Sequence, residues 1–185
     1  MWVLVSGLII FFGTHLSPGV FGLRPLLVRK LGEGRFRGLY IAGSVIGMLL
    51  IIGGKAYAPY IGLYLPPVWA RPVVPALMAC ACILLTTLFI PSNLRRLTRH
   101  PMLSAVSLWS AAHLLANGDV ASIAMFGGFG AYALISIRSL NRRGKKQDTT
   151  HYPRLNDGMV IVAGLGIFAG GAFIHPYIVG VPAVF

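Results

Sequence analysis

The 185 residues are 56% hydrophobic and 11% charged, with a mean hydropathy of +0.77, against about 25% charged residues in an ordinary soluble domain. That balance excludes a water-soluble fold, and at about 20 apolar residues per crossing it predicts an all-α, polytopic transmembrane bundle of about six helices in one membrane domain. The net charge of +12 does not indicate nucleic acid, because the basic residues sit in loops between apolar runs rather than on one folded polar surface.

The first apolar run, 2–23, has no basic segment or small-residue cleavage site, so it is expected to remain as a helix rather than be removed as a signal peptide. A basic loop follows, with Arg24, Arg29, Lys30, Arg35 and Arg37. The second run, 38–57, places Gly43 and Gly47 at the spacing that lets helices approach closely in lipid. It leads to an aromatic loop with Tyr57, Tyr60, Tyr64 and Trp69, residue types that favour the headgroup level. The third run, 72–90, stops at Pro91. Its two cysteines, Cys80 and Cys82, point to different sides of a helix and read as packing residues.

After the second basic loop (Arg95, Arg96, Arg99), runs 101–116 and 119–138 are separated only by Asn117, Gly118 and Asp119, a turn that predicts an antiparallel hairpin. A polar stretch, Arg138 to Arg154, is expected to be mobile. The last run, 157–180, carries Gly166 and Gly170, again at close-packing spacing.

All but two of the 16 Lys and Arg, the exceptions being Lys55 and Arg71, fall in the first, third and fifth loops. This alternation puts those loops in the cytoplasm and both termini on the outer, periplasmic side. The same charges suit contact with anionic lipid.

Ionisable groups inside a bilayer are costly and mark functional candidates. Here they are His15, His113 and His175, and no acidic residue lies mid-helix, which argues against an ordinary proton or cation transporter. His15 lies nine residues before Arg24, about 14 Å from that face, and His113 lies twelve beyond Pro101, about 18 Å from it. Two imidazoles at one depth on different helices satisfy the requirement for six-coordinate haem b. The alternative is that each makes an interhelical hydrogen bond. His175, close to the outer interface, reads as an interfacial histidine. Trp109 and Asn117 share the face of His113, and Arg99 and His100 stand at the start of the same helix, where a guanidinium suits an anionic group such as a propionate.

The stretch RRLTRHPMLSAVSLWSAAHLLANGD, residues 95–119, together with His15 and LGEGRFRGLY at 31–40, resembles the NnrU family of membrane proteins. That family in turn is similar to the plastid 15-cis-zeta-carotene isomerase, a membrane enzyme that binds haem b through two histidines. The resemblance implies His15 and His113 as iron ligands, with His100 as a propionate contact, cap or alternative ligand. It also implies a bacterial inner-membrane protein associated with denitrification.

Three functions follow as expectations. The first is a haem b protein of nitrogen-oxide metabolism, with nitric oxide as a ligand. The second is a haem-dependent isomerase of an apolar polyene. The third is a non-catalytic partner of another membrane protein in assembly or transport. Arg99-His100-Pro101 also resembles an element of isoprenylcysteine carboxyl methyltransferases, but the cofactor-binding C-terminal region of those enzymes is not evident here.

Overall fold

The structure, a computed structural model, describes residues 1–180. Its helices are α1 (Trp2–Gly19), α2 (Arg24–Leu31), α3 (Glu33–Ala56), α4 (Ala70–Thr86), α5 (Pro101–Ala116), α6 (Val120–Arg142) and α7 (Arg154–Val179), with a 3-10 turn at Asn93–Leu97. Among the described residues there is no β-strand beyond an isolated bridge between Gly62 and Asp119. The all-α reading therefore holds.

Helices α1, α3, α6 and α7 are long and apolar enough to cross a membrane. Helices α4 and α5 have 17 and 16 residues, which at 1.5 Å per residue gives about 25 Å. A bilayer thins locally to match a span of that length. Large apolar side chains such as Ile9, Leu49, Ile52 and Phe173 face outward, as they must where lipid rather than water surrounds the bundle. The chain is a helical membrane protein.

The first basic loop differs from expectation, because it contains α2. Pro25 at the helix start presets the backbone. Gly32, at φ +79°, then breaks the chain between α2 and α3 in a conformation that side chains resist. Helix α2 buries no residue and ends in Arg29 and Lys30, the character of a short helix lying on the surface. Helix α4 also ends before residue 90. The hydroxyls of Thr86 and Thr87 donate back to the carbonyls of Ile83 and Leu84, each at 2.7 Å, which weakens the last turn.

Glycine decides the closest packing. A Cβ on Gly47 of α3 would lie 2.8 Å from the Phe11 nitrogen of α1, and one on Gly43 would lie 2.6 Å from Thr14 Oγ1, so the predicted close approach at these positions is present. The prediction fails for Gly166 and Gly170, where an added Cβ would meet nothing within 4 Å. It is Gly164 of α7 that packs, against Ile83 of α4, with an added Cβ 2.6 Å from the Ile83 Cα. Gly164 stands two residues before Gly166, on a different side of the helix from the pair that the spacing singles out. Beside it, the Thr86 hydroxyl also reaches the Val160 carbonyl at 3.0 Å.

The helices form two groups. One is the α1–α3 pair with α2, and the other has α4 packed between α5 and α7. Helix α6 joins them, packing on α5 and on α1.

At one end of the bundle the first, third and fifth loops gather the basic residues. There Asn93 ties the 3-10 turn to α7, its N–H and Nδ2 donating to the Asp157 carboxylate at 2.8 Å each. Asn93 also exchanges hydrogen bonds with the Tyr152 backbone at 2.8 and 3.0 Å. The Arg138 to Arg154 stretch, expected to be mobile, is thus helical to Arg142 and pinned again at Tyr152. The aromatic loop, 57–69, lies at the other end.

Candidate functional site

The aromatic loop is fastened to the α5–α6 turn. Leu63 and Tyr64 donate their backbone N–H groups to the Gly118 carbonyl at 2.7 and 3.2 Å, and Val120 donates to the Ile61 carbonyl at 2.9 Å. The Tyr64 hydroxyl donates to the carbonyls of Leu114 and Asn117. Gly118 is required at this turn because a Cβ would collide with the Tyr64 carbonyl. Asp119 then caps α6, accepting from the Ser122 N–H at 3.0 Å and the Ser122 hydroxyl at 2.5 Å. It also pairs with Lys55 at the end of α3 at 3.0 Å. Burial pushes the Asp119 carboxyl up, but the donors from Ser122 and Lys55 outweigh that and hold it below its ordinary value.

Beneath this roof lies a cleft of about 660 Å³, within the usual range for small-molecule sites. Helix α4 contributes Val74, Met78 and Cys82, α5 contributes Trp109, His113 and Asn117, and α7 contributes Ile167, Phe168 and His175, with Tyr60 from the loop. Of the residues singled out from sequence, the cleft brings together His113, Trp109 and Asn117.

The backbone orients His113. Its Nδ1 lies 2.9 Å from the Trp109 carbonyl, one turn back, so Nδ1 carries the proton and Nε2 keeps its lone pair. The ring stacks on Phe126 at a centroid distance of 4.4 Å, and Trp109 stands 5.1 Å away. Asn117 donates from Nδ2 to the His113 carbonyl at 2.9 Å. It therefore fastens the end of α5 while lining the cleft.

His15 has the same tautomer for the same reason, with Nδ1 2.8 Å from the Phe11 carbonyl. Its surroundings are different. The ring stacks on Phe11 at 4.2 Å and lies 5.3 Å from Tyr40 and 5.9 Å from Tyr132, and it does not line the cleft. Phe129 of α6 touches an aromatic neighbour of each histidine, 5.4 Å from Phe11 and 5.5 Å from Trp109. On α6 the contact of His15 is Tyr132 and that of His113 is Phe126. Those rungs are about 9 Å apart along the axis. The expectation of one depth for both imidazoles is therefore corrected. Residues 20–23 are not helical, so counting a helical rise back from Arg24 placed His15 too far from the basic end.

His100 and Arg99 lie at the opposite end of α5 from the cleft. His100 is buried, its Nε2 is 2.9 Å from Asn141 Oδ1 of α6, and its Nδ1 has no hydrogen-bond partner. It ties the start of α5 to the end of α6. Arg99 is exposed. Sequence reasoning missed His175 as a cleft residue, Cys82 as a lining residue, and the Lys55–Asp119 pair. The signal available for the pair was that Lys55, one of two basic residues out of place in the charge pattern, ends its run at the same face as Asp119.

These features define a polytopic helical membrane protein with a histidine-bearing, largely apolar cleft at one end of the bundle. A family model described as NnrU protein matches residues 3–183. The chain belongs to the NnrU family. No curated protein and no solved structure shows significant similarity to it.

Whether the cleft suits a haem depends on its donors and walls. A neutral imidazole with Nε2 available and Nδ1 engaged is the form a metal-binding histidine takes, and His113 has it. The walls are apolar and aromatic with few polar groups. At His113 the residues fit. The cleft presents His113 and His175, and His15, the second ligand that the resemblance implies, is not among its lining residues.

Proposed function

We propose that this NnrU protein binds haem b in the cleft, with His113 as an iron ligand, and serves nitrogen-oxide metabolism from the inner membrane of a bacterium. The observation that carries the reading is the set tautomer of His113 on the wall of an apolar cleft. The denitrification association comes from the family resemblance, and the alternating basic loops support an orientation with both termini periplasmic. A haem held there would supply electron exchange and the capacity to bind a small gas such as nitric oxide. The chain's own residues hold the site: the Trp109 carbonyl keeps the His113 proton on Nδ1, Phe126 and Trp109 fix the ring, and the fastened loop 57–69 covers the end of the cleft. His15, the partner implied by the resemblance, also keeps an available Nε2 but lies outside the cleft.

The test is purification in mild detergent from haem-supplied cells, with a pyridine haemochrome assay and oxidised and reduced spectra. The expected result is about one b-type haem per chain in wild type, lost in His113→Ala, and a reduced spectrum altered by nitric oxide. Well-folded wild type free of haem would refute the reading.

One observation favours a second reading. Val74, Met78, Ile167 and Phe168 give the cleft an apolar wall, the kind of surface an isomerase of a polyene needs. Incubation of the reduced protein with cis-polyenes, followed by chromatography, separates the two: isomer conversion dependent on His113 supports the isomerase.

A further inference from the structure

We infer that the imidazole paired with His113 is His175 of α7, not His15, so that α5 and α7 together hold one planar metalloporphyrin between them; this rests on the haem reading above. Three independent features of the cleft converge on it.

The first is that both rings line the same cleft, whereas His15 does not. The second is level. His113 is three residues from the end of α5 and His175 is four residues from the end of α7, which places them about 4.5 Å and 6 Å from their helix ends at the aromatic face. His15 is thirteen residues from the start of α1 at that face, a rise of about 20 Å. The third is space. Helices α5 and α7 both pack on α4, which forms the floor, and Gly171, one turn before His175 and on the same face, also lines the cleft. A Cβ at Gly171 would meet nothing within 4 Å, so the wall beside His175 is open where a flat ring needs room. Trp109 and Phe168 supply aromatic faces on α5 and α7.

The experiment compares the haem-loaded wild type with His175→Ala, His175→Met, His15→Ala and Gly171→Leu. The readouts are haem content, electron paramagnetic resonance and equilibrium redox titration. His175→Ala is expected to turn a six-coordinate low-spin signal into a five-coordinate high-spin one, with exogenous imidazole restoring the low-spin form. His175→Met is expected to stay low-spin with a raised potential, since a thioether favours the ferrous state. His15→Ala is expected to leave both spectrum and potential unchanged. Gly171→Leu, which has room to fold, is expected to lower haem content by filling the cleft. A low-spin spectrum and potential unaltered in both His175 variants, with the change appearing in His15→Ala, overturns the pairing while leaving the haem reading intact. Absence of haem from folded wild type overturns both.

Discussion

His15 and His113 begin from the same local chemistry and end in different places. Each follows an aromatic residue by four positions on a helix, each gives its Nδ1 proton to that residue's carbonyl, and each stacks on a phenylalanine. Around His15 the space is filled by Phe11, Tyr40 and Tyr132, because α1 and α3 are drawn together by Gly43 and Gly47 until their backbones nearly touch. Around His113 the space is open, because α7 is held to α4 at Gly164 and Val160 and leaves a cleft along α5. The histidine alone does not define a site. The helix pair beside it decides whether the available nitrogen faces a packed ring or a cavity.

The sharpest way to break the comparison is to loosen the roof of the cleft and leave the His15 side alone. Asp119→Ala removes the α6 cap and strands Lys55, whose side chain is 32% exposed. The expected loss is about 3 kcal/mol, between that of a cap and that of a broken buried pair. Unfolding in detergent, followed by tryptophan fluorescence, measures it. The same carboxylate gives a pH dependence. Its pKa is held down in the folded state, so its stabilisation is present above the ordinary carboxylate range near about 4. That contribution is lost as pH falls through the lower folded value. Asp119→Asn is expected to flatten this acid limb, and an unchanged limb would mean that the Asp119 contacts do not hold the roof.

The complementary change closes on the other side. Gly47→Leu drives a side chain into Phe11 and is expected to cost about 2 kcal/mol, in the range of overpacked interiors, and to disturb the His15 surroundings before the cleft. If His113-dependent haem binding fell first, the two regions would not be separate.

The membrane fold was legible because lipid enforces a simple rule: long apolar stretches become helices and their charges stay in loops. The bounds of α5 and the turn at Asn117, Gly118 and Asp119 were readable for local reasons, a proline at the start and turn residues at the end. Helix α2 was hidden because eight residues that mix three basic side chains with leucine, valine and proline have too little apolar length to stand out. The pairing of Asp119 with Lys55 and of Asn93 with Asp157 links residues more than sixty positions apart. No local pattern encodes such a contact. His113 was found because a lone imidazole in an apolar run is conspicuous. The place of His175 in the cleft wall was missed because its neighbours there come from α4 and α5, and nothing in the α7 sequence names them.

Two smaller effects sharpen the picture. Tyr64→Phe removes a hydroxyl bound to the Leu114 and Asn117 carbonyls and is expected to cost about 1 kcal/mol, the net value of a typical hydrogen bond. It should also speed exchange of the Gly118 region, measured by hydrogen–deuterium exchange.

Gly166→Leu is expected to have the smallest effect, within about 0.5 kcal/mol as for an exposed site. Its position has open space around it, and leucine is the better helix former. Gly164→Leu, two residues earlier, meets the Ile83 backbone and is expected to separate α7 from α4 at a cost of about 2 kcal/mol. The pair tests whether the glycine content of α7 serves one narrow contact with α4 or a broad interface. If Gly166→Leu lost as much stability as Gly164→Leu, α7 would be packed on both sides, and the surface opposite α4 would have to be occupied by another helix in the membrane. Equal tolerance at Gly166 and a large loss at Gly164 would fix α7 as a helix held along one line, with its cleft-facing side left open beside α5.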